Sequence, residues 1–440
     1  MKWLAYEILF HIGYGLMLPT FLPRLIKRGG FRAHFGERFG RYAPGTAARL
    51  REKPRVWIHA VSVGEAKLAG NLVAQLRKLN PADSYILSAT SVTGRGVCEK
   101  FAAPDDVVIY FPLDFIPSVR RAMRTVNAKA LILIEAEIWP NIIRRAHAKN
   151  IPLILACARI SDSSAPRYRR LRFFLKDVFK CFTLILAQSR TDEERLVAAG
   201  ADPALTTVTG SAKFDAPPPP ADSAAKARLT LNAAGIDPDT DLVLLGGSTW
   251  PGEESALVRA WLMIRPAVAQ QIKPVIVPRH AERGAEIEAE LTALGVNVIR
   301  RSTFADLRAL ADKTGDSLPS VFLVDTTGEL SSLYPHASLV FIGKSLPPNK
   351  GAQNMIEPAA LGKPVIIGPD SQNFSSVMEL FRNADAIKEV RNQDELTSAI
   401  LHLAANKTER DALGARARRL VESQRGALEK TAETISEKIK

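Results

Sequence analysis

Two series of short apolar segments, one on each side of a proline tract, constrain the fold of this chain more than any other feature. Apolar runs rich in β-branched residues recur between Arg55 and Ser189, and again between Asp241 and Pro369, with room for a helix after most of them. Continuous apolar runs, in contrast to alternating ones, are expected of strands that helices cover on both faces. The sequence therefore predicts an α/β protein with two doubly wound, parallel-sheet domains.

The proline tract Pro217–Pro220 separates the two series. Four consecutive prolines cannot lie inside a sheet and favour a stiff, extended connection. A chain of 440 residues also exceeds the roughly 250 to 300 residues at which a single core stops growing. We predict an N-terminal anchor helix in residues 1–30, a first domain in 31–215, a linker in 216–222 and a second domain in 223–440. The last stretch of the second domain, from about Asp394, is expected to form solvated helices with charged faces.

The N-terminal segment from Trp3 to Ile26 is mostly apolar, and its length is near the ~20 residues that cross a bilayer. Glu7, His11 and two prolines within it are costly in hydrocarbon, so an interfacial helix fits as well as a span. A buried core helix is the alternative. The basic residues that follow would meet anionic headgroups and keep the body of the protein cytoplasmic; they are Arg24, Lys27, Arg28, Arg32, Arg38 and Arg41.

Bulk charge and composition exclude several classes of function. The formal charge of +13 favours anionic partners without choosing among nucleic acid, anionic lipid and phosphorylated substrate. The basic residues are dispersed and form no recognition module, so nucleic acid is not expected as a partner. The three cysteines are widely spaced, and the seven histidines show no HxxxH or HExxH spacing, so neither a disulfide framework nor a metal site is predicted. No GxGxxG or GxxxxGK[ST] motif indicates dinucleotide binding or P-loop hydrolysis.

Seven motifs carry a resemblance to a known family. They are HAVSVGE (His59 to Glu65), EAEIWPN (Glu135 to Asn141), TGSAKFD (Thr209 to Asp215), GSTWPGEE (Gly247 to Glu254), VPRH (Val277 to His280), DTTGEL (Asp325 to Leu330) and QNMIEPAALGKPVIIGP (Gln353 to Pro369). In order and spacing they resemble the bacterial 3-deoxy-D-manno-octulosonic acid (Kdo) transferases. The resemblance implies a glycosyltransferase B fold, with two Rossmann-like domains facing a cleft, and inverting transfer without a metal ion or cofactor. It also implies CMP-Kdo as co-substrate, a lipid A precursor as acceptor, lipopolysaccharide core biosynthesis, and a place on the cytoplasmic side of the inner membrane.

Three residues of the first domain are candidates for the chemistry. Transfer to a hydroxyl requires a base, and the motif VSVGE puts Glu65 at a strand-to-helix turn. The resemblance makes Glu65 the proton acceptor, whereas the alternative is a glutamate that the helix dipole favours in a first turn. Glu135 and Glu137 follow the strand ALILI, and alternation along an extended segment would point both the same way. The resemblance implies that Glu135 and Lys213 stabilise the transition state, although a solvated surface lysine is the alternative for Lys213.

The second domain supplies the candidate donor site. Arg279 of VPRH, positioned by Pro278, ends a strand and can neutralise the CMP phosphate as the glycosidic bond breaks. The resemblance assigns the rest of the CMP pocket to Thr327, Gly328, Glu329, Asn354, Met355, Ile356 and Glu357. Glu357 can accept hydrogen bonds from both ribose hydroxyls, whereas the alternative is a charge at a helix N-terminus.

The chain departs from the family pattern in one loop and one turn. In GKSLPPNKGAQN, Lys344 and Ala352 stand where the family commonly has glycines, and Gln353 stands where it has histidine. Trp250 also replaces a usual histidine, which removes a titratable group and adds a stacking surface. These changes affect the expected donor specificity. The competing hypotheses are a related glycosyltransferase with another nucleotide-sugar donor, a nucleotide-sugar epimerase, and a non-catalytic lipid-binding homologue.

Overall fold

The computed structural model describes residues 2–27, 34–303 and 318–439. The chain divides into two compact units: the first unit comprises Met1–Asp215 with Gly426–Lys440, and the second comprises Ala216–Arg425. A helix begins at Ala221, inside the predicted linker 216–222, so the extended connection is shorter than the sequence indicated.

The first unit is built on a seven-stranded parallel sheet. Its strands are β1 (Arg55–Ala60), β2 (Tyr85–Ala89), β3 (Val107–Tyr110), β4 (Ala128–Ile134), β5 (Leu153–Ala158), β6 (Leu184–Ala187) and β7 (Thr206–Val208). The strand order is β3-β2-β1-β4-β5-β6-β7. The chain therefore moves outward from β1 on one side and from β4 on the other, which places the topological switch point between β1 and β4.

Helices cover both faces of this sheet. They are α1 (Lys2–Lys27), α2 (Pro44–Glu52), α3 (Val63–Leu79), α4 (Val92–Phe101), α5 (Ile116–Thr125), α6 (Pro140–His147), α7 (Ala165–Arg170), α8 (Arg172–Phe179) and α9 (Arg190–Ala199). Alternate residues of one strand enter different cores: Leu131 and Leu133 of β4 pack with α5 and α6, whereas Ile132 packs with α3 and α4. Burial on both faces explains the continuous apolar runs, and it confirms the predicted doubly wound parallel sheet.

The second unit contains its own seven-stranded parallel sheet. Its strands are β8 (Leu242–Thr249), β9 (Ile272–Pro278), β10 (Asn297–Arg300), β11 (Ser320–Leu323), β12 (Leu339–Ile342), β13 (Val365–Ile367) and β14 (Lys388–Glu389). Its helices are α10 (Ala221–Ala233), α11 (Glu253–Ile264), α12 (Gly284–Thr292), α13 (Leu330–Leu333), α14 (Ile356–Ala360), α15 (Ser375–Asn383), α16 (Gln393–Ala405) and α17 (Lys407–Ser423). The order β10-β11-β9-β8-β12-β13-β14 puts the switch point between β8 and β12.

The C-terminal helix α18 (Ala427–Lys438) corrects two predictions. It belongs to the first unit, so the assignment of 223–440 to one domain is wrong for the final segment. Ala432 and Ile435 of α18 are fully buried in the core beside α3 and α4, so this helix is not solvated all round. Asp215 binds its N-terminus, because the two carboxylate oxygens accept the amides of Gly426 at 2.7 Å and Leu428 at 2.8 Å. Capping and apolar burial together explain why the chain returns to the first unit.

Helix α1 is continuous through Pro19 and Pro23, and one of its faces packs on the first unit. The Tyr6 hydroxyl donates to Asp114 Oδ2 at 2.8 Å, and the Phe10 ring lies 5.1 Å from that of Phe115. Its other described side chains include an apolar stripe in which every residue is more than half exposed: Leu4, Ile8, Leu9, Ile12, Leu16 and Met17. None of the helices in the described ranges is both long and apolar enough to cross a membrane.

The basic cluster that was predicted to meet anionic headgroups includes Arg28, Arg32 and Arg38. Arg28 and Arg32 lie outside the described residues. Arg38 is not available to headgroups, because it is only 2% exposed, stacks on the Tyr110 ring at 4.0 Å and donates from Nη1 to the Thr90 carbonyl at 2.6 Å. Its role in the predicted membrane-facing cluster is therefore wrong.

Candidate active site at the sheet switch points

Glu65 lies directly after β1, in the first turn of α3. Its backbone amide donates to Ser62 Oγ at 3.2 Å, while its carboxylate accepts from Ser62 Oγ at 2.7 Å and from the Val61 amide at 2.9 Å. These reciprocal bonds form a capping box. The carboxylate is therefore held in one position at the carboxyl end of a strand that borders the switch point, where open α/β sheets bind ligands. The capping role and the catalytic role are compatible, since a base needs a fixed orientation.

Glu135 and Glu137 follow β4, the other strand at the switch point. The expected extended alternation of these two residues is wrong: β4 ends at Ile134, and Glu135 begins a turn with a left-handed φ of +59°. Its amide bonds to the Ala156 carbonyl at 3.0 Å, so pairing with β5 holds this backbone in place. Glu137 accepts from Trp139 Nε1 at 2.9 Å. A non-glycine residue in this conformation is strained, which is a feature that concentrates at functional sites.

The three carboxyl groups lie close enough to interact electrostatically. Burial raises the pKa of Glu135, and the negative charge of Glu65 raises it further. The same two causes, burial first and Glu65 second, raise the pKa of Glu137 to about 7. Glu137 is a residue for which the sequence analysis proposed no role, and its spacing two residues after Glu135 was the signal that pointed to it. The structure therefore collects carboxylates from β1 and β4 at one point.

Lys213 adds a positive charge to this site. It lies in the short 3-10 helix Ala212–Asp215 and is half-buried, so it is not the solvated surface lysine of the alternative hypothesis. Burial lowers its pKa to about 8, the positive charge of Arg159 lowers it as well, and Glu135 opposes the shift. Phe214 next to it is 1% exposed and anchors the 3-10 helix in the core. Carboxylates and an ammonium group of shifted pKa in one site are typical of acid–base chemistry.

In the second unit, the predicted Arg279 lies directly after β9, beside the switch-point strand β8. Its amide donates to the Thr249 carbonyl at 3.0 Å, which ties the end of β9 to the end of β8. Its exposed side chain makes no hydrogen bond or ion pair with any residue that the structure describes, so the guanidinium is open to an anionic ligand. Pro278 ends β9 and is buried, as a positioning residue should be.

Glu253 organises this part of the second unit, and sequence reasoning missed it. It is 1% exposed, and its carboxylate accepts four backbone amides: Trp250 at 2.9 Å, Lys344 at 2.7 Å, Ser345 at 2.8 Å and Leu346 at 3.0 Å. These amides belong to the turn after β8 and to the loop after β12. One buried carboxylate therefore joins the two loops at the switch point. The motif GSTWPGEE contained Glu253, but nothing in the sequence indicated that its partners would come from a loop about ninety residues later.

Two departures from the family pattern contact each other. The Lys344 ammonium lies 4.7 Å from the centroid of the Trp250 ring, a cation–π contact between the loop after β12 and the turn after β8. The His280 ring meets Trp250 edge-on with a centroid distance of 5.4 Å. Lys344 and Ala352 have left-handed φ values of +61° and +48°, so the backbone conformation expected of glycine is kept without glycine.

This conformation gives a prediction for Lys344. Lys344→Gly and Lys344→Ala both remove the ammonium group and the cation–π contact, but only alanine keeps the Cβ that strains a left-handed φ. We expect the glycine variant to be more stable than the alanine variant by about 1 kcal/mol. Urea unfolding of both proteins measures the difference. Equal stability of the two variants would show that the backbone at Lys344 is not strained.

The predicted CMP-pocket residues lie after β11 and at the start of α14. Asn354 Nδ2 donates to Glu357 Oε1 at 2.8 Å, which orients the carboxylate and leaves Oε2 without a hydrogen bond from any described residue. Met355 and Ile356 are buried as whole residues, with 0% and 1% of their surface exposed, so little of either is accessible to a ligand. Glu329 forms an ion pair with Arg301 at 3.2 Å and accepts from the Thr326 hydroxyl.

Thr327 and Gly328 complete this predicted set. Thr327 is exposed, and Gly328 has a left-handed φ of +88° in the turn before α13. Within the described ranges, no three or more His, Cys, Asp and Glu side chains are grouped in a way that could hold a metal ion.

Solved structures of the same architecture define the class. A glycosyltransferase from Rickettsia africae matches with a TM-score of 0.56 and 14% identity, over 88% of this chain and 98% of its own. The UDP-GlcNAc 2-epimerase from Neisseria meningitidis matches with a TM-score of 0.55 and 12% identity, over 87% of this chain and 98% of its own. At these identities the shared property is the fold. With its two parallel sheets and polar residues at both switch points, the chain has the glycosyltransferase B architecture.

Sequence relatives define the family. A family model described as 3-deoxy-D-manno-octulosonic-acid transferase (kdotransferase) matches residues 33–216. The 3-deoxy-D-manno-octulosonic acid transferase of Bordetella pertussis is 32% identical over 410 residues, which cover 91% of this chain and 90% of that protein. A bifunctional glycosyltransferase/methyltransferase of Fusobacterium nucleatum is 30% identical over 356 residues, which cover 80% of this chain and 53% of that longer protein. This chain belongs to the Kdo transferase family, and it is a glycosyltransferase.

Proposed function

We propose that this enzyme transfers Kdo from CMP-Kdo to a hydroxyl of a lipid A precursor, with inversion and without a metal ion or cofactor, as a step of lipopolysaccharide core biosynthesis. The observation that carries the proposal is the grouping of Glu65, Glu135, Glu137 and Lys213 at the switch point of the first sheet. Family membership supports the transferred sugar, and the acceptor is inferred from the motif resemblance.

Glu65 is the proposed base. As the acceptor oxygen attacks the sugar, the Glu65 carboxylate takes the hydroxyl proton. The Val61 amide and the Ser62 hydroxyl already hold the carboxylate, so little reorganisation is needed when the acceptor arrives. The Lys213 ammonium, beside Glu135, stabilises negative charge on the donor during transfer. The raised pKa of Glu137 makes this carboxyl a proton donor or acceptor near neutral pH.

The donor site is proposed to lie in the second unit. Arg279 neutralises the phosphate of the departing CMP, and Glu357 accepts the ribose hydroxyls through its available oxygen. Glu253 contributes as a positioning residue, because it holds the two loops that carry Trp250 and Lys344. We expect Trp250 and Lys344 to contact the donor, so that the departures from the family pattern set the fine specificity for the sugar nucleotide.

The protein is proposed to act on the cytoplasmic face of the inner membrane. The exposed apolar stripe of α1 suits insertion into the headgroup boundary of a bilayer, while the opposite face of the helix is packed on the first unit. An interfacial helix would bring the site to an acceptor that is itself anchored by acyl chains.

One assay tests the reaction. Purified protein is incubated with a lipid A precursor and CMP-Kdo that is generated in place, and products are followed by mass spectrometry. The proposal predicts mass increments of one or more Kdo units that depend on CMP-Kdo. The same assay with UDP-GlcNAc as the only donor should give no product. Transfer from another sugar nucleotide but not from CMP-Kdo would replace the proposed donor.

A pH profile tests Lys213. Because its pKa is lowered to about 8, the ammonium is charged below that pH and loses its charge above it. We expect kcat/KM to fall as the pH rises through about 8, and we expect this limb to move to higher pH in Lys213→Arg, since a guanidinium keeps its proton. Lys129→Arg, at an ion pair with Asp83, is the matched control. A basic limb that stays in place in Lys213→Arg would rule out this role.

A further inference from the structure

A polar concavity lies in the first unit, apart from the carboxylate site. It has a volume of about 420 Å³, and its wall includes four arginines, Arg41, Arg51, Arg121 and Arg124, together with Tyr42. None of the described residues that line it is acidic. We call it the arginine pocket.

The arginine pocket lies at the opposite end of the sheet from the carboxylate site. Arg51 is near the end of α2, which leads into the amino end of β1, and Arg124 is near the end of α5, which leads into the amino end of β4. Glu65 and Glu135 follow the carboxyl ends of those same two strands. A strand of six residues spans roughly 20 Å, so the two sites are separated by about that length.

Close backbone packing builds the pocket. Gly40 has a left-handed φ of +71°, and a Cβ at this position would lie 2.4 Å from the Ser118 carbonyl oxygen in α5. Only glycine allows this approach, which brings the neighbouring Arg41 and Tyr42 against α5. Arg121 fixes the contact, because its Nε donates to the Phe39 carbonyl at 2.8 Å. The arrangement is therefore a structured feature of the fold.

The positive charge of the pocket is not balanced by the described residues. Arg41, Arg51 and Arg124 make no hydrogen bond or ion pair with any of them. Glu52, which follows Arg51 in the chain, pairs with Arg55 at 3.3 Å, and Glu37 pairs with Arg95 at 2.7 Å.

Like charges around one concavity repel each other. An anion with several acceptor oxygens relieves this repulsion, because each guanidinium group can donate to it.

We propose that the arginine pocket binds a phosphate group, as a mono- or diester, independently of the transfer site. Guanidinium groups match phosphate oxygens in bidentate geometry, and several can share one phosphate. The volume exceeds that of a single phosphate, so the pocket accommodates the group to which the phosphate is attached. The phosphate belongs either to a lipid headgroup or to a soluble phosphorylated compound, and the experiment separates these sources.

The test uses the full chain and two probes. Equilibrium dialysis measures binding of inorganic pyrophosphate, and co-sedimentation measures binding to phosphatidylglycerol vesicles, with phosphatidylcholine vesicles as the uncharged reference. The variant is Arg51→Gln/Arg124→Gln. The control is Arg391→Gln/Arg419→Gln, which removes the same charge from exposed arginines of the second unit. Unfolding midpoints verify that each protein is folded.

If the phosphate belongs to a soluble compound, pyrophosphate should bind equally well to wild type and to the control. It should bind at least tenfold more weakly to the pocket variant. If the phosphate belongs to a lipid headgroup, wild type and control should prefer phosphatidylglycerol vesicles over phosphatidylcholine vesicles. The pocket variant should lose this preference. The proposal is overturned if neither probe binds wild type, or if the pocket variant binds both probes as tightly as the control does.

Discussion

Glu65→Gln is expected to lower kcat by about a thousandfold in a protein that remains folded, because general bases contribute roughly 10²- to 10⁴-fold. The glutamine amide oxygen can still accept the Val61 amide, and its amide nitrogen can donate to Ser62 Oγ, so both contacts of the capping box can be kept. What the variant loses is the capacity to take a proton. Steady-state kinetics of Kdo transfer, with thermal unfolding measured on the same preparation, check the prediction.

The chain offers a closely matched control for this variant. Glu395 in α16 forms the same capping box: its carboxylate accepts the Arg391 amide at 2.8 Å, and its own amide donates to Asn392 Oδ1 at 2.9 Å. Glu395→Gln should therefore change stability as little as Glu65→Gln does and leave kcat unchanged. If Glu65→Gln kept more than a tenth of the wild-type kcat, Glu65 would be a helix cap and not the base.

Glu253→Ala is expected to destabilise the second unit by roughly 4 kcal/mol, since several buried amides lose their acceptor and each unsatisfied group costs about 1–3 kcal/mol. The loop after β12 should loosen with it. Amide hydrogen exchange at Lys344, Ser345 and Leu346 is the most direct measurement, because their protons are donated to this carboxylate. Denaturant unfolding supplies the free energy.

Glu286→Ala is the comparison for Glu253→Ala. Glu286 is in the same unit and forms an ion pair with Arg283 at 2.9 Å, but its side chain is 55% exposed, so its loss should cost less than about 1 kcal/mol. If the amides of Lys344 to Leu346 stayed protected from hydrogen exchange in Glu253→Ala, other contacts would hold the loop. Glu253 would then have no positioning role in the donor site.

Much of the fold followed from local patterns. The apolar runs around β1 to β6 and around β8 to β13 were predicted because each is long enough, and buried enough on both faces, to stand out. The short edge strands β7 and β14, of three and two residues, were missed, since so few residues carry no periodicity. Helix α18 was placed in the wrong domain because its periodicity shows that one face is apolar but does not show which core receives it.

Many residues of the candidate site were predicted from local patterns, as the strands of the fold were. Motifs located Glu65, Glu135, Lys213, Arg279 and Glu357, and their assigned roles stay predictions. Spacing after a strand sufficed for these residues, because carboxyl ends of parallel strands meet at one edge of the sheet.

The sequence by itself determined two parallel-sheet units, the family, and the residues that follow the strands, because apolar periodicity and motifs are local properties of the chain. Only the tertiary structure decided that Arg38 is buried, that Lys344 lies over Trp250, and that Glu253 binds a loop far along the chain. It also decided that the arginines of α2 and α5 share one pocket. Each of these facts depends on which segments pack together, and that choice is made by burial and hydrogen bonding over the whole unit.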